Sequence, residues 1–232
     1  MSLFALIPAA GTGSRMRGGG AKQFQRLAGK PMLWHAVRAL DSAAVEPIFV
    51  VLARDDREFR AQDWSAFEGR IEPLYCGGAT RAESVHNGLI AAMAGIDADD
   101  WVLVHDAARP CLPRADLERL IAECSSDAIG GILALPVAET VKRVAKDEAG
   151  VARIAKSEDR SQLWLAQTPQ MFRVGLLAQA LHAAQGEVTD EASAVEQLGL
   201  QPRLVSGSRR NIKVTYAEDL AIAEAILEDA AS

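Results

Sequence analysis

The chain has 232 residues, of which 49% are hydrophobic and 24% are charged, and its formal net charge is −6. This composition is typical of a globular α/β protein and argues against an intrinsically disordered chain. The acidic charge argues against general binding to nucleic acid or anionic membranes, and the sequence has no apolar stretch of the roughly 18 residues that predict a membrane span.

The first third of the chain alternates short apolar runs with helical patterns. Residues 3–9 (LFALIPA) predict a buried strand, which a glycine-rich loop follows. Pro31 suits the first turn of a helix, and the residues after it are apolar at helical spacing. Residues 47–53 and 71–75 predict the second and third strands.

The same alternation continues through the next forty residues or so. Thr80 and Glu83 have the spacing of a capping box at the start of a helix. Residues 101–105 (WVLVH) predict a fourth strand, and a loop at 106–113 precedes another helix. We therefore predict an α/β fold with a doubly wound, mostly parallel, Rossmann-like sheet flanked by helices.

Residues 138–161 differ from the rest of the chain in their many charged side chains. Two short β-like pieces, 140–144 and 151–154, flank Asp147 and Gly150 and predict a polar hairpin. Because an isolated hairpin is only marginally stable in water, we expect this arm to pack against a second subunit. The chain is thus predicted to be a single domain, 1–232, with a protruding dimerisation arm at 138–161.

Beyond the arm the pattern predicts a strand, two helices, another strand and a final helix. These lie at 163–166, 176–184, 191–198, 203–205 and from Thr215 onward, with Glu218 completing a second capping-box pattern.

The cysteines and the amino terminus indicate the compartment. Cys76, Cys111 and Cys124 are widely spaced and form no CxxC pair, so we expect three reduced thiols rather than a disulfide framework or a zinc site. The first residues lack the basic region of a secretory signal. The protein is therefore expected to be cytoplasmic.

The loop after the first strand has the composition of a phosphate-binding site. It reads PAAGTGSRMRGGGAKQ, and ligands of open α/β sheets bind beyond the carboxyl ends of the strands. Gly11 and Gly13 let backbone amides approach an anion, and Arg15 and Lys22 add positive charge beside them. The P-loop and dinucleotide glycine patterns are both absent, so a phosphate site of another kind is favoured, and the same amides and cations would suit a triphosphate.

Seven motifs spread over almost the whole chain match one known family. They are PAAGxGxRM…KQ, GGATRAESVxxGL from Gly77, VHDAARP from Val104, PVxxTxKR from Pro136, DRxxLWxxQTPQxF from Asp159, TDEAS from Thr189 and NIKVT from Asn211. In these motifs the chain resembles the methylerythritol-phosphate cytidylyltransferases and, more widely, nucleotide–sugar pyrophosphorylases.

The resemblance implies an enzyme that transfers CMP from CTP to 2-C-methyl-D-erythritol 4-phosphate in non-mevalonate isoprenoid precursor synthesis. The products would be 4-diphosphocytidyl-2-C-methyl-D-erythritol and pyrophosphate. Arg15 and Lys22 match the transition-state stabilisers of this family. The matching nucleotide-binding residues are Pro8, Ala9, Ala10, Gly11, Gly13, Gly78, Arg81 and Ser84.

The resemblance also implies an acceptor site and a metal. Arg160 and Lys213 match residues that position the attacking phosphate, and Asp106 matches a ligand of Mg²⁺ that also lies near the acceptor. Thr140 and Arg160 come from the neighbouring subunit's arm in this family, which implies a homodimer with shared active sites. The full set of matching acceptor contacts is Asp106, Ala107, Arg109, Thr140, Thr168 and Thr189.

Two other functions remain open from the sequence. A ribitol-5-phosphate cytidylyltransferase would have the same nucleotide loop and differ in its acceptor contacts. A non-catalytic nucleotide-binding module could have the same fold, because fold alone does not fix function. The presence of both Arg15 and Lys22 favours a catalyst over such a module.

Overall fold

The computed structural model describes residues 2–11, 21–42, 44–67, 69–146 and 150–231. Its strands are β1 (Leu3–Pro8), β2 (Arg26–Leu27), β3 (Lys30–Pro31), β4 (Ile48–Val51), β5 (Ile71–Leu74), β6 (Trp101–Val104), β7 (Gly130–Pro136), β8 (Lys142–Lys146), β9 (Ala152–Ser157), β10 (Trp164–Arg173) and β11 (Arg203–Ser206). Its α-helices are α1 (Met32–Leu40), α2 (Arg81–Ala92), α3 (Arg114–Cys124), α4 (Val174–Ala183), α5 (Glu191–Gln197) and α6 (Glu218–Ala231). One-turn 3₁₀ helices lie at Lys22–Phe24, Phe59–Ala61 and Ser65–Phe67.

Seven strands form the central sheet, in the order β11-β7-β10-β6-β1-β4-β5. Neighbouring strands are parallel except around β10, which runs antiparallel to both β6 and β7. The chain leads from β1 to β4 and β5 on one side and then to β6 on the other, so the direction of winding reverses beside β1. The predicted doubly wound, mostly parallel sheet is confirmed, and ligands are expected at the carboxyl ends of β1 and β6.

The core lies on both faces of this sheet. In β1, Ala5 and Ile7 belong to the cluster that includes α1 and α3, whereas Phe4 and Leu6 belong to the cluster that includes α2, α4 and α5. This alternation follows from the two-sided geometry of a strand. Because helices cover both faces, all four of these β1 side chains are buried.

Two sheet strands differ from the sequence prediction. The predicted strand at 163–166 continues as β10 through the QTPQMF segment, with a register shift between Ala166 and Gln170. β7 is absent from the prediction because its opening glycines have the composition of a turn. A Cβ atom at Gly131 would lie 2.4 Å from the carbonyl oxygen of Arg203 in β11, so glycine here permits close strand pairing.

The final helix begins later than predicted. α6 starts at Glu218 rather than near Thr215, and the Asp219 carboxylate accepts the backbone amide of Thr215 at 2.6 Å. Asp219, rather than the predicted Glu218, bonds back to the amides of Thr215 and Tyr216, and Thr215 Oγ1 donates to the Lys213 carbonyl oxygen at 3.2 Å.

The segment 138–161 contains the predicted antiparallel hairpin, in which β8 pairs with β9. All residues of both strands are exposed, including Val144 and Ile154, which are register partners with 62% and 68% of their surface exposed. Asp147 of the predicted turn lies outside the described residues. The arm extends from the paired ends of β7 and β10, where the Val137 amide donates to the Leu163 carbonyl oxygen at 3.0 Å.

Two general expectations concern cysteines and membrane helices. All three cysteines are free thiols, and burial raises the pKa of Cys111 to about 11 and that of Cys124 to about 12. Both buried thiols are therefore protonated and unreactive at neutral pH.

Over the described ranges, no helix has the length and apolar character needed to cross a bilayer.

Candidate active site

The loops that follow β1 and β6 are adjacent at the carboxyl edge of the sheet, because these strands are parallel neighbours. A cleft of about 180 Å³ lies there. It brings together residues that are far apart in the sequence: Pro8, Ala9, Gly11, Lys22, Gln23, Met32, Arg81, Asp106, Ala107, Ala108 and Lys213.

The buried amide side chain of Gln23 fixes the glycine-rich loop after β1 to the sheet. Gln23 Nε2 donates to the Ala9 carbonyl oxygen at 2.7 Å, and the Ala9 amide donates to the Val51 carbonyl oxygen at 2.8 Å. The Lys22 ammonium next to Gln23 donates to the carbonyl oxygen of Val214, at the wall of the cleft. The two ends of the loop are therefore bonded to each other, and they are also bonded to Val51 of β4 and to Val214.

Two predicted phosphate-binding residues cannot be placed. Gly13 and Arg15 lie outside the described residues. Gly11 is described, and no heavy atom of the described residues lies within 4 Å of the position that a Cβ atom would take there.

The GGATRAES segment, residues 77–84, packs against the start of the glycine-rich loop after β1. A Cβ atom at Gly77 would lie 2.3 Å from the Cβ atom of Ala10, so glycine is needed for this approach. The Gly78 amide donates to Ser84 Oγ at 3.1 Å, and Ser84 Oγ donates to the Thr80 carbonyl oxygen at 2.9 Å. The hydroxyl of Ser84 therefore fixes the backbone of this segment by bonding to both Gly78 and Thr80.

Asp106 is the electrostatic centre of the cleft. Arg81 Nε donates to its Oδ1 at 2.8 Å, and Lys213 Nζ donates to its Oδ2 at 2.7 Å. Burial by itself raises the pKa of Asp106, but the charges of Arg81, Lys213 and Arg109 outweigh burial and hold this pKa well below its usual range. Asp106 is therefore an ionised carboxylate even though it is only 7% exposed.

The TDEAS segment anchors Arg81 from the other side. Glu191, fully buried at the start of α5, accepts from Arg81 Nη1 at 2.6 Å and from Nη2 at 3.1 Å. Burial by itself lowers the pKa of Arg81, but Glu191 and Asp106 raise it overall, so the guanidinium stays charged. α5 starts here because the Asp190 carboxylate accepts the Ser193 amide at 2.9 Å.

A second cleft of about 220 Å³ adjoins the first, and Arg81, Asp106 and Lys213 line both. Two compartments that meet at two cations and a carboxylate suit a reaction between two phosphorylated ligands, because the charges are already in place where negative charge accumulates. The second cleft is completed by Arg109, Ala166, Gln167, Thr168, Gln170, Thr189 and Asp190.

Two predicted acceptor contacts in this second cleft have polar atoms bound to protein. Arg109 is 8% exposed, and its Nη1 donates to the Asn211 carbonyl oxygen at 2.6 Å. Thr168 Oγ1 accepts the Asp106 amide at 2.9 Å and lies 3.1 Å from Nδ1 of His105. Burial lowers the pKa of His105 to about 4, so this imidazole is neutral at physiological pH.

The remaining predicted contacts lie toward the outside. Thr189 is exposed at the second cleft, whereas Thr140 and Arg160 are exposed at the two ends of the arm. Of the described residues, neither Thr140 nor Arg160 lines either cleft of its own chain.

Asp106 is the candidate metal ligand. Among the residues that the structure describes, no three His, Cys, Asp or Glu side chains converge on one point. A site with a single carboxylate suits Mg²⁺, which is usually bound by few carboxylates together with substrate phosphates. Both oxygens of Asp106 face cations here, so metal binding requires Arg81 or Lys213 to move.

Comparison with known proteins identifies the family. Residues 3–229 match the family model for 2-C-methyl-D-erythritol 4-phosphate cytidylyltransferase (IspD). The chain belongs to this cytidylyltransferase family. It is 52% identical over 231 residues to the 2-C-methyl-D-erythritol 4-phosphate cytidylyltransferase of Thiobacillus denitrificans, with 98% of each chain covered. It is 54% identical over 228 residues to that of Laribacter hongkongensis, covering 96% of this chain and 95% of the relative.

Solved cytidylyltransferase structures agree. A crystal structure of 4-diphosphocytidyl-2C-methyl-D-erythritol synthase aligns with a TM-score of 0.84 at 41% identity, covering 97% of this chain and 98% of the other. The Francisella tularensis 2-C-methyl-D-erythritol 4-phosphate cytidylyltransferase aligns with a TM-score of 0.78 at 34% identity, covering 97% and 100%. The predicted fold, family and nucleotidyltransferase activity are therefore confirmed.

The sequence reasoning missed the buried polar residues that hold the predicted site residues in place. Asn211 Nδ2, for example, donates to the Thr168 carbonyl oxygen at 2.8 Å, and Gln170 Nε2 donates to Asp190 Oδ2 at 2.9 Å. These buried residues could have been found because they lie inside the matched cytidylyltransferase motifs, next to the predicted contacts in the sequence. The missed residues are Gln23, His105, Gln170, Glu191 and Asn211.

Proposed function

We propose that this protein transfers CMP from CTP to 2-C-methyl-D-erythritol 4-phosphate (MEP), a step of non-mevalonate isoprenoid precursor synthesis. The observation that supports this proposal, in a chain of this family, is that two adjoining clefts share Arg81, Asp106 and Lys213 as lining residues. An oxygen of the MEP phosphate forms a bond to the α-phosphorus of CTP while the bond to pyrophosphate breaks. The products are 4-diphosphocytidyl-2-C-methyl-D-erythritol and pyrophosphate.

The first cleft is proposed to hold the triphosphate of CTP. Lys22 and Arg15 stabilise the negative charge that builds on the α-phosphate. Lys22 exchanges its bond to the neutral Val214 carbonyl for a bond to a charged phosphate oxygen, which is the stronger acceptor. The backbone that surrounds the phosphates belongs to Pro8, Ala9, Ala10, Gly11 and Gly13.

The cytidine is proposed to lie against the GGATRAES segment. Gly78 and Ser84 hold the backbone of this segment in shape, and backbone groups can supply the few hydrogen bonds that a pyrimidine edge needs. Arg81 extends from the same segment to the border of both clefts, where it orients the nucleotide relative to Asp106.

The second cleft is proposed to hold MEP. Lys213 positions the attacking phosphate, and its half-exposed side chain, 49% accessible, can turn from Asp106 to that phosphate. Arg109 and Thr189 contact MEP in this cleft, together with Asp106, and Ala107 contacts MEP from the adjoining first cleft, which it lines. Thr168 forms part of the wall, because its hydroxyl is already engaged with His105 and the Asp106 amide.

Mg²⁺ is proposed as the cofactor, with Asp106 as its protein ligand. The single ionised carboxylate fits a metal that also takes oxygens from the triphosphate. When bound, the metal neutralises part of the triphosphate charge. Lys213 is the more mobile of the two cations beside Asp106, because Arg81 is also tied to Glu191.

We propose that the enzyme is a homodimer with shared sites and that each chain is one domain, 1–232, with its arm at 138–161. The exposed pair of Val144 and Ile154 supplies apolar surface for a second copy to bury. Thr140 and Arg160 then reach the partner's second cleft, where Arg160 positions MEP. The absence of a membrane-spanning helix in the described ranges and three free thiols support a cytoplasmic location.

Release of pyrophosphate from CTP tests the proposal. Purified protein with CTP and Mg²⁺ is assayed with MEP and, in parallel, with ribitol 5-phosphate. Turnover with MEP alone is the expected result. Preference for ribitol 5-phosphate would reassign the acceptor, and CTP binding without pyrophosphate release would indicate a non-catalytic module.

A further inference from the structure

Four buried residues form a closed ring of hydrogen bonds at the end of β6. The Asp106 amide donates to Thr168 Oγ1 at 2.9 Å, and the Arg109 amide donates to the Asp106 carbonyl oxygen at 3.0 Å. The Arg109 carbonyl oxygen lies 3.0 Å from His105 Nε2, and His105 Nδ1 lies 3.1 Å from Thr168 Oγ1. Each of the four residues is 8% exposed or less, so water does not compete for these bonds.

The chemistry of the partners fixes the direction of every bond. A carbonyl oxygen can only accept, so Nε2 of His105 carries a proton and donates it to Arg109. The Thr168 hydroxyl already accepts the Asp106 amide, so its own proton needs an acceptor, and Nδ1 of His105, 3.1 Å away, is the acceptor within reach and holds a lone pair. Thr168 keeps a lone pair for the Asp106 amide. One tautomer of His105 therefore satisfies the whole ring.

We propose that His105, as the Nε2–H tautomer, is a positioning residue for the acceptor, acting through the turn that carries Asp106 and Arg109. The side chains of both turn residues line the second cleft. The hydroxyl of Thr168 acts through this ring and does not donate to the acceptor phosphate. This inference rests on the proposed function, because the acceptor is taken to be MEP.

Amide substitutions separate the two halves of the ring. His105→Gln retains a donor near the position of Nε2, for the Arg109 carbonyl oxygen, and loses the acceptor at Nδ1. His105→Asn retains an acceptor for Thr168 and loses the donor to Arg109. Thr168→Val removes the hydroxyl from the ring, and Thr168→Ser is the matched control that keeps it.

Steady-state kinetics of the full-length variants test the positioning role. We expect His105→Gln, His105→Asn and Thr168→Val to raise the KM for MEP about tenfold or more, because small misplacements of contact residues are costly. The KM for CTP should change less than about threefold in all variants, and Thr168→Ser should keep the wild-type KM for MEP within that range. An unchanged KM for MEP in both His105 variants would overturn the proposal, because a packing role lowers only the amount of active enzyme.

A readout independent of activity decides the tautomer. In protein labelled with ¹⁵N-histidine, long-range ¹H–¹⁵N spectra should show His105 with protonated Nε2 and unprotonated Nδ1, and Thr168→Val should shift the Nδ1 signal. A protonated Nδ1 or a charged ring would overturn the assignment. If the wild-type enzyme makes no pyrophosphate with MEP, the proposed function fails, whereas these spectra still decide the ring.

Discussion

The carboxylate of Glu191 and the guanidinium of Arg81 form a two-bond ion pair, with Nη1 at 2.6 Å and Nη2 at 3.1 Å from its oxygens. In this orientation Nε of Arg81 donates to Oδ1 of Asp106 at 2.8 Å, and the other oxygen of Asp106 faces Lys213. Glu191 thereby fixes the orientation in which the guanidinium of Arg81 meets Asp106. The oxygen beside Lys213 can then be exchanged when ligands bind.

Glu191→Gln is expected to reduce both stability and turnover. The substitution removes the charge partner of Arg81 in a buried site, and loss of such a partner costs about 3 kcal/mol in the free energy of unfolding. Arg81 then turns both terminal nitrogens toward Asp106, and kcat should fall about tenfold or more because the carboxylate is occupied. Urea unfolding and steady-state pyrophosphate release measure the two effects.

Glu196→Gln is the matched control, because Glu196 is exposed on the same helix, α5. It should change stability by less than about 0.5 kcal/mol, as is usual for surface substitutions, and leave kcat unchanged. Wild-type kcat in Glu191→Gln would show that Arg81 does not depend on this anchor.

Lys22→Ala is expected to lower kcat by roughly 10²–10³, because it removes a cation that stabilises the developing charge on the α-phosphate. The fold should persist, since Gln23 continues to fix the loop to Ala9. Lys30→Ala is the control, because Lys30 is half-exposed and forms its ion pair with Asp63, away from both clefts. If Lys22→Ala retained the wild-type kcat, Lys22 would not be a residue that stabilises the α-phosphate charge.

The sequence was sufficient to predict most of the sheet, because its central parallel strands β1, β4 and β6 are short apolar runs buried on both faces. It was not sufficient for β7 and β10. The glycines of β7 have the composition of a turn, and their function depends on the backbone of β11, which comes much later in the chain. The polar QTPQ stretch of β10 lacks strand periodicity, and its Gln and Thr side chains bond to residues that lie far away in the chain, such as Ser208, His105 and Asp190.

The sequence was likewise sufficient for only part of the site. Asp106 and Lys213 could be predicted from motifs, because each is a charged residue in a matched segment. Their supports could not be predicted, because burial of a polar residue is visible only with its partner. Glu191 pairs with a residue 110 positions earlier, and Thr168 bonds to a histidine 63 positions earlier.

Acidification is expected to destabilise the protein through three histidines that are fully or partly buried. Burial lowers the pKa of His35, whose Nε2 lies 2.7 Å from the Leu27 carbonyl oxygen, and burial also lowers the pKa of His86 and His105. As pH falls below about 6.5, the unfolded chain binds protons that the folded chain does not, so the free energy of unfolding decreases. Urea unfolding of wild type and His35→Gln between about pH 7.5 and pH 5 measures this effect. The variant should show the shallower decrease; parallel curves would show that His35 makes no contribution.

Mixing two inactive variants tests whether the arm completes the partner's site. In a dimer of Lys22→Ala with Arg160→Ala, one site combines an intact Lys22 of its own chain with an intact Arg160 from the other arm, and the second site lacks both. Random exchange makes about half of the dimers mixed, each with one working site, so about a quarter of wild-type activity should return. The measurement is pyrophosphate release after subunit exchange, with mass spectrometry of intact dimers to confirm that mixed species form. Mixed dimers without activity would mean that Arg160 serves the cleft of its own chain, which conflicts with its position outside both clefts.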